Sequence, residues 1–81
     1  MRRGRIDIMG EILAAASSGV GKTALVYRTN LNFSLVDRYI SVLSQNGFIS
    51  VSRNSPVKYQ TTSRGTDFLR TYATLKRIES P

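Results

Sequence analysis

Apolar residues recur along this chain first at helical spacing and then in alternation, and the switch divides it into six elements. In residues 6–17, Met9, Ile12, Leu13 and Ala16 return every three or four positions, with Asp7, Gly10, Glu11 and Ala14 opposite. That is the mark of an amphipathic helix. Ser17, Ser18, Gly19 and Gly21 break the pattern, and residues 22–29 predict a second, short helix burying Leu25 and Val26. A third is expected to about residue 45, with Asn32 as its N-cap. Val36, Tyr39, Ile40 and Leu43 fall on one face of it, and Ser34, Asp37, Arg38, Ser41 and Gln45 share the other. Asn46 and Gly47, which tolerate the left-handed conformation, end it.

Beyond residue 47 the period shortens to two. Residues 48–53 place apolar side chains at 49 and 51, Asn54, Ser55 and Pro56 turn the chain, and residues 57–61 complete a hairpin. Thr62 or Ser63 is placed to cap a last helix in which Phe68, Leu69, Tyr72 and Leu75 form an apolar stripe. The predicted fold is mainly α with one β-hairpin, in the order α-α-α-β-β-α. Two helices joined by a tight turn and followed by a hairpin make a winged helix-turn-helix, whose third helix is the one that enters a major groove. Residues 1–81 then form one domain: a basic arm over 1–5, the winged helix over 6–62 and the last helix over 63–81. Tyr27, Tyr39, Phe48 and Tyr59 interleave with aliphatic positions, which favours the core over an exposed row that stacks on single strands.

One segment resists this assignment. Residues 16–23, Ala-Ser-Ser-Gly-Val-Gly-Lys-Thr, approach the phosphate-binding loop pattern of Gly, four residues, Gly-Lys-Ser/Thr, with Ala16 in place of the first glycine. Such a loop joins a strand to a helix in a parallel sheet, and here a helix precedes it. No apolar run ending in Asp is present to hold magnesium. Nucleotide binding at residues 19–23 is therefore the remote alternative. The simpler use is a helix N-terminus whose amides, with Lys22 and Thr23, contact a DNA phosphate.

Composition narrows the chemistry. The 81 residues include no Cys and no His, so no disulfide, metal site or cofactor is expected. Self-association is the expected aid to so small a core. The five carboxylates are scattered over different elements, and no catalytic constellation emerges. Twelve Lys and Arg against five Asp and Glu give a net charge of +7. The pI of 10.6 lies above the value of about 9 that flags nucleic-acid binding. The charge recurs at Lys22, Arg28, Arg38, Arg53, Lys58 and Arg64, as on a folded surface rather than a tail; charge kept for solubility is the plainer alternative. No stretch approaches the roughly 20 apolar residues of a membrane span. Neither a secretory leader nor a membrane anchor is expected, and a cytoplasmic, nucleoid-associated location is.

The candidate DNA contacts follow from these placements. Ser34, Arg38, Ser41 and Gln45 on the third helix, with Asn32 and Phe33 at its start, are types that reach base edges or phosphates, and Arg38 is the foremost. Any amphipathic helix has a polar outer face; the weight comes from the low acidic content of this one and its place in the element order. Arg53, Asn54 and Lys58 put charge near the hairpin tip, where it either touches DNA or guards an edge strand. Arg2, Arg3 and Arg5 form a basic arm, and Arg28 adds a further cation on the second helix.

The run Lys22-Thr23-Ala-Leu-Val-Tyr27-Arg-Thr-Asn30-Leu31, then Tyr39-Ile40-x-x-Leu43, Asn46-Gly47-Phe48-Ile49 and Tyr59-x-x-Thr62-x-x-Gly65-x-x-Phe68-Leu69, resembles a family of small archaeal winged-helix DNA-binding proteins. Each piece is loose, but their order and spacing are fairly specific and cover most of the chain. The resemblance implies an elongated last helix that in several members pairs with its mate as an antiparallel coiled coil. Here Phe68, Leu69, Tyr72 and Leu75 would carry a homodimer, although the stripe falls short of the three or four heptads that make a coiled coil convincing. The alternative is that Phe68, Leu69 and Tyr72 pack on the first helix of their own subunit. The expected function is double-stranded DNA binding, as a transcriptional regulator or nucleoid-associated protein without catalysis. The main alternative is a protein-interaction module on the same fold.

Overall fold

A computed structural model of the chain describes residues 3–79. It contains α1 (Arg5–Ala15), α2 (Lys22–Thr29), α3 (Phe33–Gln45), β1 (Ile49–Ser52), β2 (Lys58–Thr61) and α4 (Ser63–Glu79). This is the predicted order, and the caps show why the boundaries fall where they do. Asn32 Oδ1 accepts from the Leu35 amide at 2.8 Å, satisfying one of the free donors at the start of α3. Thr62 Oγ1 accepts from the Gly65 amide at 3.1 Å and so opens α4. α2 stops at Asn30, a non-glycine residue in the left-handed region. At the end of α3 that conformation belongs to Gly47 alone; Asn46 stays right-handed.

α1, α2 and α3 enclose the core with the hairpin closing one side. Ile12, Leu13, Ala16, Val20, Leu25, Val36, Ile40, Leu43 and Ile49 are buried. Each large aliphatic side chain taken fully out of water stabilises the fold by about 1.5–3 kcal/mol. Val26, expected with Leu25 in the core, is half-buried, while Thr29 is buried and donates to the Leu25 carbonyl at 2.6 Å.

β1 and β2 pair antiparallel, with Ile49 opposite Thr61 and Ser52 opposite Lys58. The hairpin is also tied to the α1–α2 connection. Val20 and Tyr59 exchange backbone hydrogen bonds of 2.9 and 2.8 Å, and the Thr61 amide donates to the Ala16 carbonyl at 3.0 Å.

Two expectations fail on packing. Gly10, placed by its period on the solvent side of α1, is buried, because the Tyr72 ring of α4 lies where a Cβ would sit only 2.7 Å from its carbons. Tyr27, assigned to the core, points outward from α2 and is 81% exposed. Gly65 marks a second close approach, since a Cβ there would press into the Phe48 carbonyl and Thr61 Cγ2.

Candidate nucleic-acid interface

The exposed polar face of α3 lies between two shallow grooves. On the α1 side, Arg5 and Arg38 flank a floor of Met9, Tyr39 and Val42 in a cavity of about 260 Å³. On the hairpin side, Asp37, Ser41, Ser44 and Gln45 face Val51, Arg53 and Tyr59 across about 280 Å³. Arg38, Ser41, Gln45 and Arg53 are thus brought to one surface, and Ser34 and Phe33 are exposed on the first turn of the same helix. Alternation along the strands sets the wing's polarity. Arg53 shares the side of Val51 and Tyr59, whereas Lys58 lines the opposite face with Ser18, Ser52 and Gln60. Asn54 sits in the exposed turn.

Other candidates are committed within the chain. Lys22 Nζ pairs with Asp37 Oδ1 at 2.5 Å, joining α2 to α3. That hydrogen bond, with a contribution from Tyr59, raises the Lys22 ammonium above its ordinary pKa. Lys22, expected to contact a DNA phosphate from this helix N-terminus, is thus held by a carboxylate of α3, with Thr23 exposed beside it. Arg28 donates to the Ala15 carbonyl at 3.2 Å, satisfying an open acceptor at the end of α1. Asn32 spends its side-chain oxygen on its cap.

The basic arm also differs from expectation. Arg3 bonds Glu11 and the Thr29 carbonyl, each at 2.6 Å, and Arg5 belongs to α1. Arg2 lies outside the described residues.

The Gly-Val-Gly-Lys-Thr segment connects two helices. Its Gly19 and Val20 amides are taken by the Ala16 and Tyr59 carbonyls, so they do not converge on a space for phosphate. Among the described residues no group of three or more acidic, His or Cys side chains is gathered to hold a metal ion, and no helix is long and apolar enough to cross a membrane.

Charge is distributed unevenly. Four of the five carboxylates, Asp7, Glu11, Asp67 and Glu79, belong to α1 and α4, where they pair with Lys76, Arg3, Arg70 and Lys76. Asp7 is held below the usual carboxylate range by the Gly4 amide first, then by the Tyr72 hydroxyl and Lys76. Burial and the bond to Asp7 push the Tyr72 phenol up, and Glu79 and Asp7 together raise Lys76. Arg5, Arg38, Arg53 and Lys58 have no carboxylate partner among the described residues.

Of the apolar stripe on α4, Phe68 packs on Phe48 with ring centroids 5.3 Å apart, and Leu69 packs against the core. Tyr72 covers Gly10 and donates to Asp7 at 2.8 Å. Leu75 remains exposed, as does Ile78, which lies three positions further along the same helix and outside the predicted stripe. Asp37 has no local signature of a site, because its pairing with Lys22 joins different helices.

The protein superposes on Sso10a-2, a DNA-binding protein from Sulfolobus solfataricus, with a TM-score of 0.89 and 23% identity, over 95% of this chain and 82% of that one. It also superposes on NolR from Sinorhizobium fredii, with a TM-score of 0.71 and 18% identity, over 93% of this chain and 73% of that one. No curated protein sequence matches it. These likenesses agree in fold with the helix order and hairpin above. The winged helix-turn-helix family matches residues 2–80, nearly the whole chain, and it is to this family that the chain belongs.

Proposed function

We propose that the domain binds double-stranded DNA in the cytoplasm, as a transcriptional regulator or nucleoid-associated protein, with α3 in the major groove and the β1–β2 wing on the backbone or minor groove. The observation that carries this reading is the sorting of charge. Four of the five carboxylates lie on α1 and α4 and are paired, and the fifth, Asp37 of α3, is held by Lys22, while Arg5, Arg38 and Arg53 border the open face of α3 without a carboxylate partner among the described residues. Such a surface attracts phosphates, and serines, an amide and guanidinium groups are suited to base edges. The similarity to a DNA-binding protein of Sulfolobus solfataricus supports it.

The test is anisotropy of a labelled duplex titrated at several salt concentrations. Neutralising three or four phosphates per copy gives a log–log slope of about −2.7 to −3.6. Binding that ignores salt, or an absence of binding at low salt, would sink the reading and favour a protein partner on the same face.

A homodimer along α4 belongs to the same proposal. Phe68, Leu69 and Tyr72 have contacts within the chain, so the seam would rest on Leu75 and Ile78, 56% and 75% exposed. Sedimentation equilibrium should then give twice the 9.0 kDa chain mass, and Leu75→Glu should return it to one.

A further inference from the structure

Asp37 is the one carboxylate on the surface proposed to meet DNA, and there it opposes attraction to phosphates. An exposed ion pair with Lys22 adds little to stability, so the fold gives weak reason for it. Its position is informative. Asp37 is the fifth residue of the 13-residue α3, in the N-terminal half from which a recognition helix contacts base edges. It lines the groove toward the wing with Ser41, Gln45 and Arg53. Lys22 pairs with Oδ1, and the Asp37 side chain remains 55% exposed, which leaves acceptor capacity on the carboxylate beyond the ion pair.

We propose that Asp37 is a specificity-determining residue whose carboxylate, pinned by Lys22, accepts a hydrogen bond from the exocyclic amine of a cytosine in the major groove. This inference rests on the DNA-binding reading above.

The chemistry selects the base. A carboxylate is an acceptor only, and the donors on the major-groove edge are cytosine N4 and adenine N6. Adenine presents its N7 acceptor beside N6, which repels the second carboxylate oxygen, whereas cytosine offers N4 without that neighbour. Guanine and thymine edges present acceptors, and phosphate is an anion, so each is disfavoured by the same charge. Asp37 and Lys22 thereby trade general affinity for discrimination: the lysine positions the acid, and the acid keeps the lysine from the backbone.

Binding-site selection from random duplexes would be run on the wild type, Asp37→Ala and Asp37→Asn at one stated salt concentration, with thermal melting to verify folding. The wild type should fix a cytosine at one position of each site and lose about tenfold or more in affinity when it is replaced by thymine. Asp37→Ala should discriminate less than about twofold there. It should also bind unrelated duplexes more tightly, with a salt slope steeper by about 0.9 as Lys22 gains a phosphate. A shift of that position to adenine in Asp37→Asn would support the assignment further, since an amide pairs with adenine N6 and N7. Wild-type binding with the same cytosine preference in Asp37→Ala overturns the inference alone. Failure of the folded wild type to bind any duplex overturns the DNA-binding reading with it.

Discussion

Along the seam between α1 and α4, polar side chains find one another. Tyr72 donates to Asp7, Asp7 meets Lys76, and Gly10 gives up its Cβ so that the Tyr72 ring can close over it. Across the molecule, Ser34, Arg38, Ser41 and Gln45 stand on α3 beside Arg53 with no charged partner among the described residues. The two regions draw on the same kinds of residue. The difference is whether partners lie within the chain, and groups left without one are available to a ligand whose own charges must be matched.

That contrast can be broken by exchanging the roles of its sides. The largest effect is expected at Gly65, where the α4 backbone crosses Phe48. A methyl group there has no space, and Gly65→Ala should cost about 3 kcal/mol through overpacking, more than about 10 °C in Tm for a domain this size. An unchanged melting curve would show that the close approach is not needed.

Arg38→Ala should leave Tm unaltered and reduce discrimination between DNA sequences by about 1–3 kcal/mol. Equal weakening on every sequence would make it a phosphate contact. Arg53→Ala should weaken all duplexes alike and make the salt slope shallower by about 0.9, with Lys58→Ala doing less because Lys58 faces away from α3.

The smallest effect belongs to acid titration of the seam. Because the folded Asp7 carboxyl lies below its value of 3.8 in the unfolded chain, its contribution is present above that value. It is lost as pH falls through the folded pKa. Asp7→Asn should therefore melt lower than wild type above about pH 5 and converge with it only once pH has fallen through the lowered folded pKa. A constant offset at every pH would assign the loss to packing.

The same contrast explains what could be read from sequence. α2 and α3 were legible because their signals are local: a helical period, Asn32 three residues before the amide it caps, and glycines that admit the turns. The unpaired face was legible too, since Arg38 and its neighbours need only the period of one helix to be placed together. The seam was not. Gly10 meets a tyrosine 62 positions away, and nothing in the pattern of α1 distinguishes a small residue left in solvent from one that makes room. Arg3 fails for a related reason, because its partners Glu11 and Thr29 come together only once α1 and α2 have packed. Tyr27 misleads in the opposite sense: aromatic character argues for burial, but its position on α2 faces neither neighbouring helix.

The backbone exchange between Val20 and Tyr59 has a consequence for the wing as a moving part. A lone two-stranded hairpin is marginal in water, yet β2 is held at its base from both sides, by β1 and by the α1–α2 connection. The amides of Val20 and Tyr59 should then exchange with solvent deuterium as slowly as those of the helices, while the tip near Asn54 exchanges fast. The short connection becomes a gauge for the pitch of the wing relative to α3. A residue inserted between 17 and 21, which an ordinary surface loop would absorb, would tilt the whole hairpin and carry Arg53 away from the groove it borders.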